Sequence, residues 1–327
     1  MSLPYFSVVI PAFNRNASLG RAIESVLAQT DTDFEIIVID DGSDEPPDDI
    51  VGRLNDPRVR LIRQSHAGGG AARNCGIAQA RGRYIAFLDS DDAFLPKHLE
   101  RMRTLLADRS DVIGYAPLIV DRGRGRSFIK PPRAIASGEH MATYLLCDRG
   151  FVPTITLVVP KPVAQEVRYD ESQTYAQDTD FALRLFLAGY RFEMADLPGA
   201  IWRDTPDPRR TSAGRKGVRL IPWLERFKPQ IPVRAWYGAR GWVVAKGIAA
   251  TDPARALVFY LQAVVRGCYA PRLAIIVLLQ IVLPDRWYRA LADWAIGHAD
   301  GSVWSRREKR GFAGGQPSLS ASRGIAK

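Results

Sequence analysis

Apolar runs that stop abruptly on acids constrain this chain more than any other feature. Phe34 to Ile39 leads straight into Asp40-Asp41-Gly42-Ser43, and Tyr84 to Leu88 leads into Asp89-Ser90-Asp91-Asp92. Residues 5–13, ending at Pro11 and Asn14, and Val59 to Ile62 are of the same kind. Short apolar, β-branched runs bounded by turn residues read as buried strands. Between them lie helical patterns: Leu19, Ile23, Val26 and Leu27, with Ser18 as a candidate cap, and then Ala71 to Ala80 after the loop Gln64 to Gly70. Strands that alternate with helices and lack a polar face predict an α/β fold with a mainly parallel, Rossmann-like sheet covered on both sides. Ligands of such sheets bind at the carboxyl ends of the strands, where this chain carries Asn14, Asp41 and Asp91.

Beyond Pro96 the pattern predicts a helix near Lys97 to Leu106 and a strand near Val112 to Leu118. A basic Gly- and Pro-bearing loop at Arg122 to Arg133 and a strand at Ile155 to Val159 follow. A helix over Asp178 to Leu187 and a Pro-rich crossover from Asp196 to Pro208 close this part. From about Ile221 onward helical segments take over. The most apolar, Leu273 to Leu283, has 11 residues, roughly half of what spans a bilayer, and reads as a buried or interfacial helix. This organisation predicts a catalytic domain over 1–215, a basic Trp-rich helical extension over 216–310 and a disordered Gly-, Ser- and Ala-rich tail over 311–327.

The net charge of +10 is unevenly placed. Residues 1–200 carry 23 Lys or Arg against 27 Asp or Glu, whereas residues 201–327 carry 22 against 8, and all seven tryptophans fall in the second stretch. Basic charge beside Trp suits an anionic membrane surface. Solvated basic helices are the plainer reading of the same residues, and no zinc-finger or RNA-binding motif supports a nucleic-acid partner. Three cysteines without metal-ligand spacing, and no signal-like start, fit a cytoplasmic protein, with the inner face of the membrane as the place for peripheral attachment.

The acids carry the chemistry. Three carboxylates delivered to one strand end are costly to hold together unless a cation neutralises them, and oxygen ligands of this kind suit magnesium or manganese bridging a diphosphate. Asp91 is the candidate ligand; Asp92 reads equally as the cap of the next helix. Asp40-Asp41 fits a nucleoside pocket, and taken alone fits a simple Asp-Gly-Ser turn as well.

Four segments settle these readings jointly. Ser7-Val8-Val9-Ile10-Pro11-Ala12-Phe13-Asn14-Arg15, Ile39-Asp40-Asp41-Gly42-Ser43, Ala71-Ala72-Arg73-Asn74-Cys75-Gly76 and Phe87-Leu88-Asp89-Ser90-Asp91-Asp92, in this order and spacing, resemble the family 2 glycosyltransferases over roughly residues 5–205. The resemblance implies an A-type nucleotide-sugar transferase fold, a nucleotide diphosphate sugar donor, most often a uridine one, a divalent metal and inversion at the anomeric carbon. By position it implies that Pro11, Phe13 and Asn14 form the first nucleotide loop, that Asp41 reads the base, and that Arg73 lies near the nucleotide. Asp89 and Ser90 would then flank the ribose or sugar, and Asp91 the metal. The general base of the family opens a helix as the second acid of a Glu-Asp pair. Tyr175-Ala176-Gln177-Asp178-Thr179-Asp180 matches it with Gln177 in place of the Glu, making Asp178 the candidate base, with Asp180 as fallback and a plain helix cap as the other reading of Asp178. His66 borders the glycine loop, where it could touch substrate; a surface loop histidine is the favoured reading.

The resemblance also has gaps. Trp202-Arg203-Asp204 and Arg209-Arg210-Thr211-Ser212 lack the family's His, and no Gln-x-x-Arg-Trp follows Asp178, which argues against a processive polymer synthase. The expected activity is therefore non-processive transfer of a sugar to a glycan or lipid-linked hydroxyl in surface polysaccharide or glycoconjugate synthesis. A sugar nucleotidyltransferase would need a Gly-rich, Arg- and Lys-bearing loop that Pro11 to Asn16 does not supply. A nucleotide-sugar-binding protein without catalysis is the alternative that Gln177 raises.

Overall fold

The computed structural model describes residues 3–204 and 217–298. Two sheets organise the first stretch. The larger takes β1 (Phe6–Ala12), β2 (Phe34–Asp40), β3 (Val59–Arg63), β4 (Tyr84–Phe87), β6 (Val112–Tyr115), β9 (Val158–Pro160) and β10 (Arg191–Met194) in the order β10-β6-β9-β4-β1-β2-β3. Only β9 runs against its neighbours, so the sheet is mainly parallel. The smaller has the order β5-β11-β7-β8, from β5 (Ala93–Phe94), β7 (Leu118–Asp121), β8 (Ser127–Lys130) and β11 (Ala200–Arg203).

The apolar runs form strands because both their faces are covered. Val8, Ile10, Ile36 and Val38 pack under the Asn16–Leu27 helix on one side, while Val9, Ile37, Ile39 and Phe87 meet the Gly69–Gln79 helix on the other. The Gly69–Gln79 helix lies close to β1, where a methyl group on Gly76 would stand 2.3 Å from Val9 Cγ1. Alternation with helices puts the ends of β1, β2 and β4 on one edge, with β1 in the middle, so the loops at Asn14, Asp41 and Asp89 are neighbours.

Several local expectations change. The first helix runs Asn16–Leu27 after Arg15, and Ser18 sits inside its first turn, where Oγ donates to the Arg15 carbonyl. The next helix past Pro96 starts at His98, so Asp92 does not cap it; its carboxylate instead accepts the Arg203 backbone N–H at 3.0 Å. The run expected as one strand over 112–118 breaks at Ala116-Pro117, sending β6 and β7 to different sheets. The basic loop 122–133 contains β8, paired antiparallel to β7, and the crossover after Asp196 contains β11. Both strands are four residues long and only partly buried, so neither leaves a clear apolar run. The Arg209–Ser212 segment and the 311–327 tail lie outside the described residues.

Residues 217–298 are helical and pack onto the first stretch. Trp223, Leu224, Phe227, Ala235 and Ala239 join the core that contains Phe181, Leu183 and Leu185. Cys147 and Cys268, far apart in sequence, both direct Sγ at the Arg234 carbonyl, at 3.4 and 3.3 Å. The last helix, Asp285–His298, is tied to the β7–β8 hairpin by Asp293 to Arg122 (2.9 Å) and Arg126 (3.3 Å), and to Asp204 by Arg289. No helix among the described residues is long and apolar enough to cross a membrane.

Candidate active site

The first loop is stitched to the second. Asn14 takes a left-handed φ of 51°, its backbone N–H donates to Ser43 Oγ (2.9 Å), and its side-chain amide exchanges two hydrogen bonds with Asp44. Phe13 stays 41% exposed on the rim and stacks on the His66 ring at 4.1 Å between centroids.

Asp41 is buried, and its carboxylate is fully engaged by the glycine loop. Oδ1 accepts from Ala67 N (2.9 Å) and Gln64 Nε2 (2.7 Å), and Oδ2 accepts from Gly68 N (2.8 Å) and faces His66 Nδ1 at 2.9 Å. Gly68 has a φ of +92° at the turn into the Gly69–Gln79 helix, where a side chain would be strained. Asp40 accepts the Ser43 N–H that closes its own turn. Sequence reasoning gave Asp41 to a ligand; the structure ties it to the loop the ligand would meet.

Arg73 joins the segment after β4 to the start of the Gln177–Leu187 helix. Its guanidinium donates to Asp89 Oδ1 at 2.6 Å and to Gln177 Oε1 at 3.1 Å, and lies over the Tyr169 ring. Burial works against its charge, yet Asp89, Tyr169 and Asp178 more than compensate, so the group holds its proton more firmly than usual. Its buried Nε has no hydrogen-bond partner. The Gln that replaces the expected Glu keeps an oxygen for Arg73 and donates its amide to the Gln173 carbonyl at 2.7 Å.

One residue on stands Asp178, in the first turn of the Gln177–Leu187 helix. It is not the cap; Ala176, at a left-handed φ of 56°, holds that position without a side-chain bond. Burial pushes the Asp178 carboxyl above the usual carboxylate range and Asp89 adds to the rise, while the Thr179 N–H and the charges of Lys130 and Arg73 oppose it. Asp180 is committed elsewhere, buried between Arg184 (2.6 Å) and Trp223 Nε1 (2.9 Å).

Lys130, at the end of β8, is the residue that sequence reasoning missed. Its Nζ stands 3.8 Å from the centroid of Phe151 and 5.6 Å from that of Trp202. Burial pulls its ammonium down to about 8, with Arg149 adding to the fall and Asp178 and Asp204 opposing it. The basic run around it was visible in sequence, but nothing there singled out one lysine.

On the opposite rim, Ser90 is buried, Asp89 is partly exposed beside Arg73, and Asp91 follows at the turn into β5. Arg203 ends β11 beside Asp92. No cluster of three or more His, Cys, Asp or Glu among the described residues makes a metal cage. Magnesium usually takes only one or two carboxylates from a protein and completes its shell with water and substrate phosphates; Asp89 and Asp91 stand two residues apart after β4, with Asp89 already paired to Arg73.

Comparison with known proteins follows the same lines. The model for "Glycosyl transferase family 2" matches residues 7–148, and that for "Glycosyl transferase family group 2" matches residues 84–291. The amylovoran biosynthesis glycosyltransferase AmsB of Erwinia amylovora is 30% identical over 71% of this chain and 80% of its own length. The succinoglycan biosynthesis protein ExoO of Rhizobium meliloti is 44% identical over 36% of this chain, and the match spans only 33% of that protein. Crystal structures of S. aureus TarS 1-349 share the fold. One structure of this fragment aligns at a TM-score of 0.59 and 16% identity, covering 90% of this chain and 92% of that one; the UDP-GlcNAc complex aligns at 0.53 and 18%, covering 80% and 89%.

Proposed function

The chain belongs to glycosyltransferase family 2, and from that premise we propose that it transfers a sugar from a uridine diphosphate sugar to a hydroxyl of a glycan or lipid-linked acceptor, with inversion at the anomeric carbon. The bridge made by Arg73 supports this reading, because one guanidinium hydrogen-bonds both Asp89 after β4 and Gln177, the chain neighbour of Asp178. The UDP and UDP-GlcNAc complexes of TarS support the uridine nucleotide, and the polysaccharide-assembly names of AmsB and ExoO support a glycan acceptor.

In this reading Pro11, Phe13 and Asn14 border the base, over a loop that Asp41 holds in shape. Asp89 and Ser90 face the sugar, where Asp89 also orients Arg73. Asp91 would hold magnesium or manganese, which supplies positive charge for the departing diphosphate. The Asp178 carboxylate accepts the proton of the acceptor hydroxyl as that oxygen attacks the anomeric carbon and the bond to the diphosphate breaks. A raised carboxyl suits this work, since a base nearer neutrality is a stronger proton acceptor while still ionised. Lys130 supplies the nearby positive charge that keeps Asp178 ionised in a half-buried place.

A thermal-shift panel of UDP-sugars with and without manganese tests the donor, since a ligand of the folded state raises the melting point. One UDP-sugar should stabilise the protein more than UDP alone, and more with metal. Equal shifts for every nucleotide, metal or none, would remove the donor assignment. Slow hydrolysis of that UDP-sugar, lost in Asp178→Asn while binding persists, separates a transferase from a protein that only binds.

A further inference from the structure

Exposed apolar residues are distributed very unevenly. Of the fifteen large hydrophobic side chains exposed among the described residues, twelve fall within 217–298. They are ordered by helix. On Pro253–Val265, Ala256, Phe259, Tyr260 and Ala263 face the core, while Leu257, Val258, Leu261 and Val265 form an outward stripe. On Pro271–Val282, Leu273, Val277 and Ile281 are buried and Ile275 and Val282 face out. On Asp285–His298, Asp293 faces the hairpin and Arg289 faces Asp204, while Trp287 and Leu291 are exposed, Trp287 at 60%.

The three helices are neighbours: Tyr260 Oη donates to the Ala274 carbonyl (3.0 Å), and Gln280 Nε2 donates to Tyr288 Oη (2.9 Å). Arginines border the apolar faces at the helix ends, Arg266 after Val265, Arg272 three residues before Ile275, and Arg286 beside Trp287. Residues 217–298 carry 11 Lys or Arg against 4 Asp or Glu, a net +7. A protein partner could cover an apolar face, but an apolar face edged by arginine on a strongly cationic layer matches one surface most closely: acyl chains under anionic headgroups. The Pro271–Val282 helix has 12 residues, about 18 Å at the α-helical rise. That is too short for a hydrocarbon core of about 30 Å, so it would lie in the surface rather than cross it.

We propose that the outward faces of these three helices dock the protein on an anionic lipid bilayer. The transferase reading is not needed for this, and the test contains no sugar nucleotide, so either can fail without the other. Full-length protein is sedimented with vesicles of phosphatidylcholine alone and with vesicles holding roughly one third phosphatidylglycerol, at low and high salt. The expected result is strong partitioning to the anionic vesicles, weak partitioning to the neutral ones, and release by salt. The triple variant Leu261→Ser, Val265→Ser, Trp287→Ala should bind anionic vesicles at least about ten-fold more weakly with an unchanged melting point, because all three side chains already face solvent. Equal binding by variant and parent, or equal binding to neutral and anionic vesicles, overturns the proposal. So does a parent that ignores vesicles and sediments as a dimer that the variant loses, since the face would then cover a second copy.

Discussion

The two sides that Arg73 joins are built by different means. The side proposed for the donor, at the ends of β1, β2 and β4, is held by main chain and short side chains: Asp41 on the N–H groups of Ala67 and Gly68, Asn14 on Ser43 and Asp44. The side proposed for the acceptor is assembled from long side chains contributed by distant segments, with Arg73 on Gln177, Trp223 on Asp180, and Lys130 between Phe151 and Trp202. The first kind is stiff, because it rests on main-chain groups and short side chains. The second depends on how separate units dock, so substitutions there should alter rate and pH response more than ligand affinity.

That contrast can be broken at four places. The largest effect belongs to Asp178→Asn, which should lower kcat by roughly 10²- to 10⁴-fold while nucleotide affinity, read by calorimetry, stays put; a matching loss of affinity would place Asp178 on the donor side. Next is Asp41→Asn. It puts an NH2 where one carboxylate oxygen was, so one of the part-buried N–H groups of Ala67 and Gly68 loses its acceptor and the cost should be about 1–3 kcal/mol, seen as a lower urea midpoint together with weaker nucleotide binding. A variant that loses stability but binds nucleotide normally would detach the loop from the donor site.

Trp223→Phe keeps most of the packing but removes the indole N–H from Asp180. A hydrogen bond to a charged group is worth roughly 1.5–3 kcal/mol, and Arg184 still pairs with the carboxylate, so the loss should fall at the low end. Unchanged unfolding would mean the helical layer is held by its apolar contacts alone. The smallest effect at neutral pH is expected from Lys130→Met. Activity requires Asp178 ionised, so turnover is lost as pH falls through its raised pKa; removing the ammonium raises that pKa further and moves the acid limb of kcat/KM to higher pH. Because Lys130 itself loses its proton near pH 8, parent and variant should converge above that value. Parallel profiles, offset by a constant factor at every pH, would leave Lys130 a merely structural part.

Legibility in the sequence follows the same division. Strands buried on both faces, such as Phe34–Asp40, write themselves as unbroken apolar runs, and their ends mark the rim directly. The short strands Ser127–Lys130, at the edge of the smaller sheet, and Ala200–Arg203, inside it, bury only part of their surface, so composition hid them in a basic loop and a Pro-rich crossover. Lys130 was hidden with them, since its place beside Asp178 comes from a hairpin folding across the sheet rather than from spacing along the chain. Asp41 was found for its position, but the ligands of its carboxylate are backbone groups over 20 residues away, which no side-chain pattern encodes. The helical layer showed its charge and tryptophans in advance; which side of each helix faces outward emerged only from the packing.

The grip of Asp41 on the Gln64–Gly68 turn has a kinetic corollary. A guest arriving above that turn meets amides already fixed in orientation, so little chain entropy remains to be surrendered at capture. Association should therefore proceed in a single fast phase whose rate scales with concentration, without the plateau that marks a slow rearrangement of the host.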